Sequence, residues 1–175
     1  MAIDPSYYRD IIMDNYSYPH NKGLKENEGY AQRHMASDSC IDDITVQAKF
    51  KDGKIEDVRF DGHACTISTA STSILTDLLD GKTLEEAKDI IDNYYHMLHG
   101  ETFDPEALNE AIVFEGVSKQ PNRIGCATIG WRAVEEMIEE QEKNAKDGEV
   151  VHKTQAACDC PSCQHDHTEE VKANG

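Results

Sequence analysis

The stretch that most limits what this chain can fold into runs from Cys40 to Cys65. Ile44-Thr45-Val46-Gln47-Ala48-Lys49-Phe50 alternates and is rich in β-branched residues, the pattern of a half-buried strand. Lys51-Asp52-Gly53-Lys54 carries the Asp-Gly pair of a tight hairpin turn, and Ile55 to Phe60 returns with Ile55, Val58 and Phe60 apolar. One cysteine stands just before this hairpin and another just after it. Adjacent strands lie about 4.8 Å apart, so the pairing itself carries Cys40 and Cys65 towards each other.

The remaining segments read mostly as helices. Asp4-Pro5 is a helix start, a side-chain acceptor at the cap followed by proline at the first helical position, and Tyr8, Ile11 and Ile12 share one face. Tyr30 to Ala36 is a weaker extended stretch. After Cys65, Ile67, Ala70, Ile74, Leu75, Leu78 and Leu79 recur at helical spacing up to Gly81. Thr83-Leu84-Glu85-Glu86 predicts a capping box for a helix ending at Gly100. Asp104-Pro105 opens a third short helix through about Val117, and a loop with Pro121 and Gly125 follows. From Cys126 a long helix turns Ile129, Ala133, Val134, Met137 and Ile138 inward. A small antiparallel sheet of two or three strands with helices packed on it is the α+β class. The folded domain is expected over 1–147, followed by a polar, disordered tail over 148–175.

With 17 basic against 34 acidic residues the net charge is -17, which excludes the cationic face that nucleic acid requires. No apolar run is long enough to span a bilayer. The first residues show neither the basic nor the apolar region of an export signal, so a cytoplasmic setting is expected. In such a reducing compartment the six cysteines are metal ligands or reactive thiols before they are disulfides.

Cys40, Cys65 and Cys126 are the thiols of the folded part, and Asp42 stands two residues after the first. Cys65 and Cys126 each fall at an expected helix start, where free N–H groups and the helix dipole favour a thiolate and lower its pKa. Three thiolates and a carboxylate form a four-coordinate set that suits zinc or iron better than magnesium or calcium. Inert cysteines packed as small apolar groups are the competing reading, because the spacing contains no paired Cys-x-x-Cys among these three.

The motifs around these cysteines resemble the SufU type of the IscU/NifU N-terminal family of iron–sulfur cluster assembly proteins. Tyr8-Arg9-Asp10-Ile11-Ile12-Met13-Asp14-Asn15-Tyr16 with Pro19, Asn21 and Gly23 is similar to the family's opening helix and loop. Cys40-Ile41-Asp42 stands where the family has Cys-Gly-Asp. Phe60-x-Gly62-x-x-Cys65-x-Ile67-Ser68 and Arg123-Ile124-x-Cys126-Ala127-x-x-x-Trp131 resemble its second and third cysteine motifs. An added helical segment between Cys65 and Cys126, and Gly125 where the IscU branch has histidine, favour the SufU type.

The resemblance implies an IscU/NifU-N-like fold and zinc held by Cys40, Asp42, Cys65 and Cys126. It also implies that Cys40 accepts persulfide sulfur from a pyridoxal-phosphate cysteine desulfurase of the SufS kind, for passage to downstream iron–sulfur assembly proteins. The alternative is a non-enzymatic scaffold that builds an Fe–S cluster on Cys40, Cys65 and Cys126, and a third reading is structural zinc alone. Three departures bear on the Cys40 loop: Ile41 replaces a glycine, Ser37-Asp38 an Asn-Pro pair, and Ala64 a glycine. A β-branched residue resists the positive φ that glycine supplies.

Other candidates read as bland. His63 is a surface residue at a strand end, Trp131 is core, and His96 and His99 are solvated near a helix end. Arg123 either positions the acidic partner loop, pairs with Asp42 or forms a surface salt bridge. In the tail, Cys158, Cys160 and Cys163 with His165 and His167 are either incidental side chains of a disordered terminus, a set that binds soft metal ions or relays sulfur without a preformed fold, or the site of a disulfide.

Overall fold

The computed structural model describes residues 4–26 and 29–155. The chain divides into two compact units, Met1–Glu140 and Gln141–Gly175; of the second, the described residues 141–155 are helical. Of the expected tail, residues 148–155 are helical, whereas Cys158, Cys160, Cys163, His165 and His167 lie outside the described residues.

Helix α1 (Pro5–Ser17) starts as expected: Asp4 caps it by accepting the Ser6 N–H at 2.9 Å, with proline in the first turn. Strands β1 (Tyr30–Ala36), β2 (Asp43–Lys51) and β3 (Lys54–His63) form an antiparallel meander in chain order. The β2–β3 turn places Asp52 at φ 52° and Gly53 at φ 73°, two consecutive left-handed residues of the kind that match the twist of a two-residue hairpin. The last β2–β3 pair is Asp43 with His63, so the sheet ends directly beside Asp42 and two residues before Cys65.

One face of the sheet is apolar. Ile44, Val46 and Ala48 of β2 and Val58 and Phe60 of β3 are at most 1% exposed, and they pack into one core with residues of the helices. Helix α2 (Thr66–Leu79) lies in that core, followed by α3 (Leu84–His99), whose capping box closes with both Thr83–Glu86 hydrogen bonds and whose end is Gly100 at φ 72°. The short helix expected from Asp104-Pro105 is in fact two pieces, α4 (Pro105–Leu108) and a 3₁₀ run (Asn109–Lys119), joined where Asn109 adopts φ 46°. A left-handed residue interrupts the α-helical hydrogen-bond ladder, which apolar spacing alone does not reveal.

Helix α5 (Pro121–Gln155) starts earlier than the sequence suggests. Proline at its first position suits a helix start, because the N–H it lacks has no helical partner there. The apolar stripe of α5 is as expected: Ile129, Trp131, Ala133, Val134, Met137 and Ile138 are all fully buried.

A buried polar knot fastens α2, α3 and α5 together. The carbonyl of Ala127 accepts from Ser71 Oγ at 2.6 Å and from Tyr94 OH at 3.0 Å, while Trp131 Nε1 donates to Ser71 Oγ at 2.8 Å. The rings of Tyr94 and Trp131 stack with centroids 3.8 Å apart. Because Ala127 follows Cys126, this knot fixes the part of α5 that carries the third thiol.

Candidate metal centre

Each of the four candidate residues comes from a different kind of local structure. Cys40 lies in the loop between β1 and β2, which is closed by the Ser37 N–H donating to the Asp42 carbonyl at 2.8 Å. The substitution of Ile41 for glycine is accommodated without a left-handed backbone: among the described residues only Asn21, Asp52 and Asn109 have positive φ without being glycine. The Ile41 side chain instead points outward, 72% exposed.

Asp42 is 2% exposed. Its Oδ1 accepts the backbone N–H of Cys65 at 2.7 Å, and its Oδ2 is buried with no hydrogen-bond partner. The helix-capping logic explains this. Cys65 is the N-cap of α2, its Sγ accepting the Ser68 N–H at 3.4 Å. A glutamate at the position of Ser68 would reach back to the Cys65 N–H, as in a capping box; the serine is too short, and Asp42 takes that place from another element.

Gly62 lets the two strands converge here. Its φ is +128°, and a Cβ on it would lie 2.2 Å from the Asp43 carbonyl oxygen. No other residue type fits, so glycine brings the end of β3 against β2 and Cys65 towards Asp42.

Cys126 is 3% exposed and sits on α5 beyond its first turn. This corrects the expectation that it stands at a helix start. It gains no free N–H groups, because the dipole's effect fades after the first turn.

The ligand atoms of Cys40, Asp42, Cys65 and Cys126 all lie within 4.8 Å of one another. Residues separated by much of the chain therefore meet at one point. The expectation of lowered thiol pKa values is also corrected. Burial raises the Cys65 thiol above its ordinary value, and the Asp42 carboxylate adds to the rise despite the Ser68 N–H. Burial raises Cys126 further, with Asp42 and Cys40 acting in the same direction. Crowding acidic groups favours their protonated forms; a cation among them reverses the preference, since thiolates are the metal-binding form.

The donor set fits such a cation. Three sulfurs select a soft or borderline ion, a carboxylate oxygen brings the donors to four, and the orphaned Asp42 Oδ2 is a buried acceptor needing a partner. Zinc and iron are ions that accept such a donor set.

The other candidates stay apart from it. His63 is exposed at the end of β3 and outside the four-residue group. Arg123 is exposed and forms no ion pair with Asp42 or any other described residue. His96 lies 3.6 Å from Glu101, His99 Nδ1 lies 2.7 Å from the Tyr95 carbonyl oxygen, and both are exposed. Trp131 is core. Sequence reasoning missed the buried polar face of α2, where Ser68, Ser71, Thr72, Ser73 and Thr76 are at most 1% exposed. A signal existed: no charged residue occurs between Cys65 and Asp77.

The family model described as NifU-like N terminal domain matches residues 7–147. The iron-sulfur cluster assembly scaffold protein IscU of Streptococcus pyogenes serotype M1 is 36% identical over 152 residues, covering 82% of this chain and 94% of its own. The zinc-dependent sulfurtransferase SufU of Bacillus subtilis (strain 168) is 35% identical over 136 residues, covering 77% and 91%. Among solved structures, the N-terminal part of a nitrogen-fixing NifU-like protein from Brucella abortus superposes with a TM-score of 0.68 at 25% identity, covering 78% of this chain and 94% of that one.

Proposed function

The chain belongs to the NifU-like N-terminal domain family of iron–sulfur cluster assembly proteins, and on that premise we propose that it is a zinc-dependent sulfur acceptor whose receiving thiol is Cys40. The single observation that carries this reading is the unequal mounting of the three thiols. Cys65 caps one helix and Cys126 is buried on another, whereas Cys40 lies on a loop beside the exposed Asp38, Ser39 and Ile41. A thiol that must meet a partner's sulfur needs that freedom.

In this reading Cys40, Asp42, Cys65 and Cys126 would hold zinc, the unpaired Asp42 Oδ2 being the oxygen available to it. The bound ion supplies the positive charge that keeps the thiols deprotonated at neutral pH. Cys65 and Cys126 keep their positions because their helices are locked into the core. The Cys40 thiolate attacks the outer sulfur of a persulfide presented by a SufS-like cysteine desulfurase. The sulfur–sulfur bond of that persulfide breaks, its electron pair leaves with the desulfurase cysteine as a thiolate, and Cys40 carries the persulfide away. Downstream iron–sulfur assembly proteins then take the sulfur. The name of the Bacillus subtilis relative supports this reading. The chemistry requires a reducing compartment, and the cytoplasm is the one proposed. No described helix is long and apolar enough to cross a membrane, and the charge of -17 favours a partner with a cationic face.

The second reading, a scaffold on which a cluster is assembled by Cys40, Cys65 and Cys126, has support in the name of the Streptococcus pyogenes relative. Gly125, beside Cys126, offers no side-chain ligand, which weighs for zinc. Metal and sulfide analysis of protein purified in air separates them. Colourless protein with zinc is expected; a brown chromophore with iron and acid-labile sulfide overturns the zinc reading.

A further inference from the structure

We propose that the Ser68 hydroxyl is a positioning group for the metal centre, donating a hydrogen bond to a thiolate of the loaded site. The inference rests on the metal reading above and extends it to a residue outside the ligand set. Among the described residues two buried side-chain oxygens lack any hydrogen-bond partner: Asp42 Oδ2 and Ser68 Oγ. Folded proteins rarely leave such groups unpaired without a reason. The first belongs to a ligand, and the second lies on the turn that Cys65 caps.

Ser68 is 0% exposed, and its backbone N–H already donates to Cys65 Sγ at 3.4 Å. The packing of α2 on α5 fixes which side of α2 carries it. Thr72, one turn further along α2, touches α5 at Gly130, where a Cβ would come within 2.5 Å of Thr72 Oγ1. Cys126 is one turn before Gly130. At the other end, the thiols of Cys65 and Cys126 already meet. Ser68 therefore lies between the two contacts, on the side of α2 that faces Cys126.

Local backbone partners do not occupy this hydroxyl. Thr72 Oγ1 donates one turn back to the Ser68 carbonyl at 2.8 Å, the usual outlet for a buried helical hydroxyl. The equivalent outlet for Ser68 is the Ala64 carbonyl, which instead accepts from Thr69 Oγ1 at 3.4 Å. A neutral thiol is a weak acceptor, whereas a thiolate is a charged one. The bond thus forms when the site is loaded, in the way that groups around metal ligands orient and tune them.

The test uses the full chain with Ser68→Ala, in metal-free, zinc-loaded and cobalt-loaded forms. Zinc affinity is measured by chelator competition, the sulfur-to-cobalt charge-transfer band by absorbance, and the metal-free form by its Tm. Three results are expected together. The zinc dissociation constant rises by about 10- to 100-fold, as loss of such an outer partner typically does. The cobalt band moves to longer wavelength, since a thiolate without its donor holds its electrons less tightly. The metal-free Tm is unchanged or higher, because an unpaired buried hydroxyl has been removed. Unchanged affinity with an unmoved band overturns the proposal, and so does a lower metal-free Tm, which marks Ser68 as structural. Wild-type protein that takes up neither ion overturns the metal reading itself, a failure visible before any variant is made.

Discussion

One carboxylate oxygen of Asp42 holds the backbone N–H of Cys65 at 2.7 Å while the other is buried with no partner. The first bond ties the Cys40 loop to the start of α2. The second oxygen is left for an ion. The same side chain therefore builds the site and contributes to it, and substitutions can separate the two roles.

Asp42→Asn keeps an oxygen for the Cys65 N–H and removes the charge. A buried carboxylate with a free oxygen is costly when no cation faces it, so the metal-free variant is expected to melt at the same temperature or higher. Its zinc affinity should fall at least about tenfold, as expected when a charged ligand is lost. Asp42→Ala also leaves the Cys65 N–H unpaired and should lower metal-free stability by about 1–3 kcal/mol. Thermal melts with and without zinc distinguish the two variants.

Gly62→Ala is expected to be among the most damaging single-methyl changes in the protein. The added Cβ would lie 2.2 Å from the Asp43 carbonyl oxygen, at a φ of +128° that alanine resists. Backbone has to move, at a cost of about 2–4 kcal/mol. Urea unfolding measures it, and the zinc site should weaken in parallel because β3 delivers Cys65.

The knot around the Ala127 carbonyl gives an ordering. Tyr94→Phe removes one hydroxyl and leaves the ring stacked on Trp131, which should cost about 1 kcal/mol. Ser71→Ala strands the indole N–H of Trp131 as well, so about 1–3 kcal/mol is expected. Denaturant midpoints should fall in that order, and equal losses would contradict the assigned bonds.

Stability should depend on pH in opposite senses with and without zinc. In the metal-free form Cys65 and Cys126 titrate above their ordinary values, chiefly through burial. The folded state then holds protons that the unfolded state releases, so stability is full below the ordinary thiol pKa of about 8.5 and declines as pH rises above it. In the zinc-loaded form the thiols are deprotonated, and stability declines as pH falls and protons compete for sulfur. Melting curves from pH 6 to about 10 in both forms check the sign.

The hairpin was the most legible part of the fold, since alternating β-branched residues and the Asp-Gly turn state strand and turn together, though not the register shift at Lys49 and Phe50. It also announced that Cys40 and Cys65 meet. The starts of α1 and α3 were legible for the same reason: Asp4 and Thr83 act locally. The start of α5 was not, because Pro121 reads equally well as a loop residue or a first helical residue, and the apolar stripe begins only near Cys126. The break at Asn109 depends on one left-handed residue. The raised thiol pKa values were hidden too. A helix start at Cys65 is visible in the sequence, but burial and the closeness of Asp42 are tertiary facts, and here they outweigh the dipole.

In the proposed function Cys40 is the one of the four ligands that receives sulfur, while Asp42, Cys65 and Cys126 stay with the metal. The most direct measurement is sulfide release by a purified SufS-like cysteine desulfurase from cysteine and a reductant, with this protein either wild-type or Cys40→Ala. Wild-type protein is expected to raise turnover severalfold or more, with a persulfide found on Cys40 by mass spectrometry before reduction, and Cys40→Ala to give no stimulation. Equal stimulation by both, or a persulfide on Cys65 or Cys126 in its place, would contradict that role for Cys40.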